Sequence, residues 1–242
     1  MEMTKKLQLI FVTVCMIWNS AKAQSYSIES YEGRATKISI TNYSTDNSRY
    51  GAKISSLTDS LFLTDYNGMN EVHVLNHKFL EIVYDTRGGT GSQIRNTVIL
   101  TVKGNKINVA MLTNSFGKAF GGDIDGSLYV IKFNITGNDQ SNFKLVANVY
   151  DRHKSSSSPQ KSYIRNKKIT LNYDSNRNIF FTTHKSITQS FTINDPKTQQ
   201  SNKLQISGLL PIIALGPKHY YYIKGQWYGT GYDDDLFKDY YR

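Results

Sequence analysis

From residue 24 onward, apolar side chains recur at every second position in short runs broken by Gly, Asn and Asp, which predicts an antiparallel all-β chain. The clearest unit sets Thr97–Val102 against Ile107–Leu112, with Gly104 and Asn105 at the turn of a hairpin. A second pair places Tyr129, Ile131, Phe133 and Ile135 on one face of one strand and Phe143, Leu145, Ala147 and Val149 on one face of the next. The segment between them, Thr136–Asn142, is polar and turn-rich. A third pair runs through Ile169, Leu171 and Tyr173, crosses Asp174–Arg177 and continues over Asn178–Thr183. Ser186–Ile193 keeps the period of two, and Ala35–Thr41 and Glu71–Thr86 add further strands. Eight to ten strands follow, in one antiparallel β-sandwich or β-barrel domain spanning 24–242.

Helical signals are sparse. Ile54–Leu63 has the spacing of a short helix. Leu204–Leu215 is apolar enough, but Gly208 and Pro211 make it a strand-like or irregular connector. Thr113–Ser127, rich in glycine, and the serine run Lys154–Lys161 read as surface loops.

Residues 1–23 have a different pattern. Lys5 and Lys6 precede an apolar run from Leu7 to Trp18, and Ala21-Lys22-Ala23 supplies a small-x-small end, which predicts a cleaved signal peptide and an exported protein. The run is shorter than the roughly 20 residues a membrane-spanning helix needs, and no other stretch approaches that length. Cys15 is the one cysteine and lies inside this run, so residues 24–242 hold neither a disulfide nor a thiolate site. The setting is thus periplasmic, outer-surface or secreted.

Composition changes the picture little. The chain carries 29 Lys+Arg against 19 Asp+Glu, and the excess outlasts removal of Lys5, Lys6, Lys22 and Glu2. The cations are dispersed, which excludes the concentrated basic element of most nucleic-acid binders and fits mild attraction to an anionic envelope or polysaccharide.

Five local features bear on chemistry. Arg87-Gly88-Gly89, with Arg95 beyond it, is a glycine-rich loop flanked by arginines, suited to a phosphate, sulfate or carboxylate. It is not a Walker loop, because it leads into a strand. Asp123-Ile124-Asp125-Gly126 resembles part of a calcium loop but has Asn134 where the twelfth-position Glu belongs, so no metal is assigned. Asp233, Asp234 and Asp235 form an acidic run near the C-terminus. His73 and His77, four apart in a strand, lie too far apart to share one metal. The fifth feature is aromatic density from Tyr220 to Tyr241. Within it Tyr222, Trp227 and Tyr228 are the candidate contact residues for a sugar or a protein.

The leading reading is a non-enzymatic binding module for a carbohydrate, peptide or protein partner, with no cofactor and no nucleic acid. Its ligand residues are Arg87, Gly88, Gly89, Arg95, Tyr222, Trp227 and Tyr228. Two others stand beside it: an envelope- or polysaccharide-directed hydrolase using carboxylates from Asp233–Asp235 or Asp123 and Asp125, and a small outer-membrane β-barrel. The signal end Ala-x-Ala-Gln before an Asn-, Ser-, Lys- and Tyr-rich body resembles exported proteins of Gram-negative bacteria. That likeness implies an envelope setting and no site residues.

Overall fold

The computed structural model describes residues 23–44, 50–86, 91–121, 125–139, 142–195, 198, 200–230 and 236–242. Within them the chain is all-β and antiparallel, apart from one parallel strand pair and a single 3-10 turn at Pro159–Lys161. Among the described residues no helix is long and apolar enough to cross a membrane.

The first four strands are β1 (Gln24–Glu29), β2 (Ala35–Ser44), β3 (Tyr50–Ser55) and β4 (Ser60–Leu63). The segment Ile54–Leu63, expected to be a short helix, instead holds the end of β3, a turn over residues 56–59 and the whole of β4. Ser56 donates its backbone N–H to the Asp59 carbonyl at 2.8 Å, and the Ser56 hydroxyl accepts from the Asp59 N–H at 3.1 Å. A Ser-x-x-Asp turn satisfies the backbone that a helix would otherwise satisfy, and Leu57 within it is fully in solvent.

Eight longer strands form a second sheet: β5 (Tyr66–Leu75), β6 (Phe79–Thr86), β7 (Ser92–Lys103), β8 (Lys106–Gly121), β9 (Asp125–Thr136), β10 (Lys144–Lys154), β11 (Tyr163–Asp174) and β12 (Ile179–Phe181). They lie side by side in chain order, each hairpin placed by its turn. Gly104 and Asn105 both have positive φ, and Lys103 pairs with Lys106 around them, as a two-residue hairpin requires. Asp174 closes the β11–β12 turn by accepting from the N–H groups of Asn176 and Arg177. The long run Glu71–Thr86 is two strands, because Asn76 and His77 both adopt positive φ and turn the chain. Where a glycine-rich loop was expected over Thr113–Ser127, β8 continues to Gly121 and pairs with β9 from Phe116 onward. Glycine here lies within a paired strand.

The remaining strands are β13 (Thr183–Asn194), β14 (Ser201–Ile213), β15 (Tyr220–Ile223), β16 (Gln226–Thr230), β17 (Leu236–Phe237) and β18 (Tyr240–Tyr241). β13 to β17 close into a five-stranded barrel, sealed where Ile193 and Asn194 of β13 run parallel to Leu236 and Phe237 of β17. The apolar segment Leu204–Leu215 is thus mostly strand. Pro211 is tolerated because β15 first pairs with β14 at Ile212, leaving no bond for its missing N–H to make on that side. β18 returns to the first sheet and pairs with β4, setting Tyr240 opposite Leu63. The sequence-based total of eight to ten falls short of the eighteen strands among the described residues; short strands such as β4, β12, β17 and β18 carry no visible alternation.

Two cores result. One fills the barrel with Ile187, Phe191, Ile206, Tyr221, Tyr228 and Leu236, and the other joins both sheets to the outside of the barrel. Alternation along β15 and β16 connects them. Tyr221 and Tyr228 point into the barrel, while Tyr220 and Trp227 point out of it into the larger core. Neighbouring aromatics are therefore buried on both faces of the same strands.

Candidate functional site

The C-terminal aromatics expected to form a contact surface are largely interior. Trp227 is fully buried, its indole N–H donates to the Val109 carbonyl at 3.1 Å, and its backbone N–H donates to the Tyr240 hydroxyl at 3.0 Å. Tyr228 is buried in the barrel, so neither ring presents a free face. Tyr222 is half-buried against Trp227 and lines a hollow of about 300 Å³ beside Arg177 and Arg242. Both arginines there already have carboxylate partners, Asp174 and Asp59. Arg95 is half-buried, pairs with Asp85 at 3.0 Å and lies over the Phe116 ring. Arg87, Gly88, Gly89, Asp123 and Asp233–Asp235 lie outside the described residues. Among the described residues, Arg95 meets Asp85 and Phe116, while Tyr222 meets Trp227.

What it brings together is a different set. Where β6, β7 and β8 meet the barrel and the C-terminal tail, a cavity of about 430 Å³ opens. Thr86, Ile94 and Asn96 line it from β6 and β7, and Asn114 from β8. Lys218 comes from the β14–β15 connection, Thr230 and Phe237 from β16 and β17 of the barrel, and Asp239 from the tail. Asp65, on a positive-φ turn between β4 and β5, completes the wall. Gly216 places the Lys218 side: the Tyr129 hydroxyl donates to the Leu215 carbonyl at 2.5 Å, and a Cβ on Gly216 would sit 2.6 Å from that hydroxyl. Only glycine admits this approach.

Asp239 is the chemical centre. It is 7% exposed, its backbone carbonyl is tied to the Thr64 N–H at 2.9 Å, and its Oδ2 is buried without a hydrogen-bond partner. Burial pushes its carboxyl above the usual range; Lys218 works against that rise and Asp65 adds to it. The Lys218 ammonium lies 3.9 Å from Oδ1, too far for a hydrogen bond, and rests instead over the rings of Tyr220 and Phe237. Burial also raises the Tyr84 and Tyr220 phenols, with Asp239 as a further cause in both cases. The Tyr220 hydroxyl, like Oδ2, has no partner, whereas Asn96 reaches the Tyr84 hydroxyl at 3.5 Å. An unsatisfied buried polar group costs about 1–3 kcal/mol. Of these two groups, Asp239 lines the cavity and Tyr220 lies under the Lys218 ammonium.

The sequence carried only a faint trace of this site. Asn96 and Asn114 are buried, but each sits among polar neighbours, Arg95 and Thr97 or Thr113 and Ser115, where a polar residue stands out only once its burial is known. Asp239, four residues after the acidic run, reads as part of a solvated tail until β18 is seen to anchor it. Among the described residues no group of three or more His, Cys, Asp or Glu is placed to hold a metal ion. In comparison with known proteins, no family model, curated protein or solved structure matches this chain.

Proposed function

We propose that the protein is an exported binding module that takes a neutral saccharide in the Asp239 cavity. The observation that carries this is the buried carboxyl of Asp239 in the lining of a cavity that also presents the amides of Asn96 and Asn114, the hydroxyls of Thr86 and Thr230, and the opposed charges of Asp65 and Lys218. A sugar hydroxyl both donates and accepts, so it matches Asp239, Asn96, Asn114, Thr86 and Thr230, while Phe237 offers an apolar ring. Two carboxylates oppose an anionic ligand, and Lys218 opposes a cationic one. The volume lies within the about 300–1,000 Å³ common to small-ligand sites. The closed barrel has five strands and a filled interior, fewer than the eight from which membrane barrels start, so it gives the outer-membrane reading no support.

The test is calorimetry against a panel of neutral gluco-, manno- and xylo-oligosaccharides. Asp239→Asn is expected to weaken the best binder about tenfold to a hundredfold, the worth of a charge-assisted hydrogen bond of about 1.5–3 kcal/mol. The same variant is expected to melt at a higher temperature at pH 8, because it removes a carboxyl whose ionised form burial disfavours. Unchanged affinity, or absence of binding across the panel, contradicts the proposal.

The hydrolase reading draws on Asp239 too, since a carboxyl that keeps its proton above the usual range, with Asp65 in its field, suits a general acid. Release of reducing ends from a bound oligosaccharide would assign turnover. An oligosaccharide recovered intact after prolonged incubation supports binding alone.

A further inference from the structure

A second surface lies on the eight-stranded sheet, away from the Asp239 cavity. Strand register aligns Lys132, Asn148 and Lys168 in one row across β9, β10 and β11, and Val130, Tyr150 and Asn166 in the next. These six residues line a shallow groove of about 440 Å³. The second row continues through Phe116 and Arg95 to Asp85, and a third row sets Lys118, Leu128 and Arg152 on the same face. Asp85 is the one acid in these rows, and its carboxylate already meets Arg95. Lys132 and Lys168 are exposed, and the Arg152 Nε is shielded from water without a hydrogen-bond partner.

We infer that this face of β9–β11 binds a linear acidic polysaccharide. Charge complementarity selects a polyanion. Lys132 and Lys168 flank β10 two strand spacings apart, about 10 Å, and Arg152 lies four residues along β10 from Asn148, about 13 Å. Cations so dispersed suit charges repeated along an extended chain and leave a single small anion with one partner at most. The groove's remaining polar groups, Asn148 and Asn166, are amides suited to hydroxyls between the charges. A nucleic acid fits less well. Single strands stack bases on free aromatic faces, and here Phe116 is covered by Arg95 while Tyr150 lies half-buried in the sheet.

The experiment measures retention of the exported chain on immobilised polygalacturonate as sodium chloride is raised. A variant carrying Lys132→Gln, Arg152→Gln and Lys168→Gln is compared with one carrying Lys37→Gln, Lys53→Gln and Lys203→Gln. The second set removes the same charge from exposed lysines on β2, β3 and β14. Both are checked for native circular dichroism, and all six positions are solvent-facing or half-exposed. The groove variant is expected to lose about tenfold or more in affinity and the control about twofold or less. Equal loss in both variants would reduce the effect to net charge and overturn the inference. So would wild-type binding to duplex DNA or to phosphatidylglycerol vesicles at equal or higher affinity, or absence of retention at low salt. None of these outcomes touches the Asp239 cavity, whose neutral ligand is tested separately.

Discussion

Trp227→Ala is expected to destabilise the fold by about 3–5 kcal/mol, the range for removing a large buried aromatic side chain. Against a total stability of about 5–15 kcal/mol for a typical domain, that is a large share. The reason is position. Trp227 leaves the barrel on β16, enters the larger core, and holds both the Val109 carbonyl of β8 and the Tyr240 hydroxyl of the tail. Its loss opens a void, strips a buried carbonyl of its donor, and loosens the join between barrel and sheet. Trp227→Phe, which keeps much of the ring, is expected to cost less than half as much. The other tryptophan, Trp18, precedes residue 24, so the fluorescence of a chain spanning 24–242 reports Trp227 alone. Urea titration followed by that emission should show a blue-shifted native signal that moves red on unfolding. Trp227→Ala should unfold at much lower urea when followed by circular dichroism. A native emission typical of water-exposed indole would contradict the burial.

The second large effect is on the pH dependence of stability and comes from Glu81. This side chain lies on β6, 8% exposed, and burial pushes its carboxyl up to about 7. His73, its partner across β5, lowers the value somewhat, and Glu71 raises it. In the unfolded chain a glutamate titrates near its ordinary value, so between about pH 4.5 and 7 the native state holds the extra proton. Stability therefore falls as pH rises through that window and levels off above it, by about 3 kcal/mol in all. Asp59 and Asp174 have carboxyls held below the usual range by Arg242 and Arg177, together with backbone N–H groups. They act with the opposite sign and lose stability as pH falls at the acidic end. Glu81→Gln isolates the Glu81 contribution. Unfolding free energies at pH 5 and pH 8 should differ far less in Glu81→Gln than in the parent chain. An equal difference in both proteins would show that Glu81 ionises freely in the fold.

These two residues mark the boundary between what alternation reveals and what it hides. Period-two runs are local, so the hairpins around Gly104-Asn105, Thr136–Asn142 and Asp174–Arg177 were legible with their facing residues. The closure of β13 onto β17, and the return of β18 to β4, join residues far apart in the chain and leave no periodic signal. That is why Trp227 read as a surface aromatic. A buried aromatic and an exposed one look alike in a strand until both neighbouring layers are known, and β15 and β16 have a core on each side.

The candidate site was less legible still. Asp239, Lys218, Asn96 and Asn114 come from four segments, and each is unremarkable among its sequence neighbours. The features that stood out, Arg87–Arg95 and Asp233–Asp235, are conspicuous because they are locally repetitive. Their flanks do meet: Thr86 and Ile94 on one side, and Thr230 and Phe237 on the other, line the same cavity.

The most direct test of the saccharide reading is a nitrogen–proton NMR titration of residues 24–242 with the oligosaccharide that binds best. The account predicts saturable shifts at the side-chain amides of Asn96 and Asn114 and at the backbone amide of Thr230, lost in Asp239→Asn. Shifts confined to the outer face of β9–β11, or none at these three positions, would contradict it.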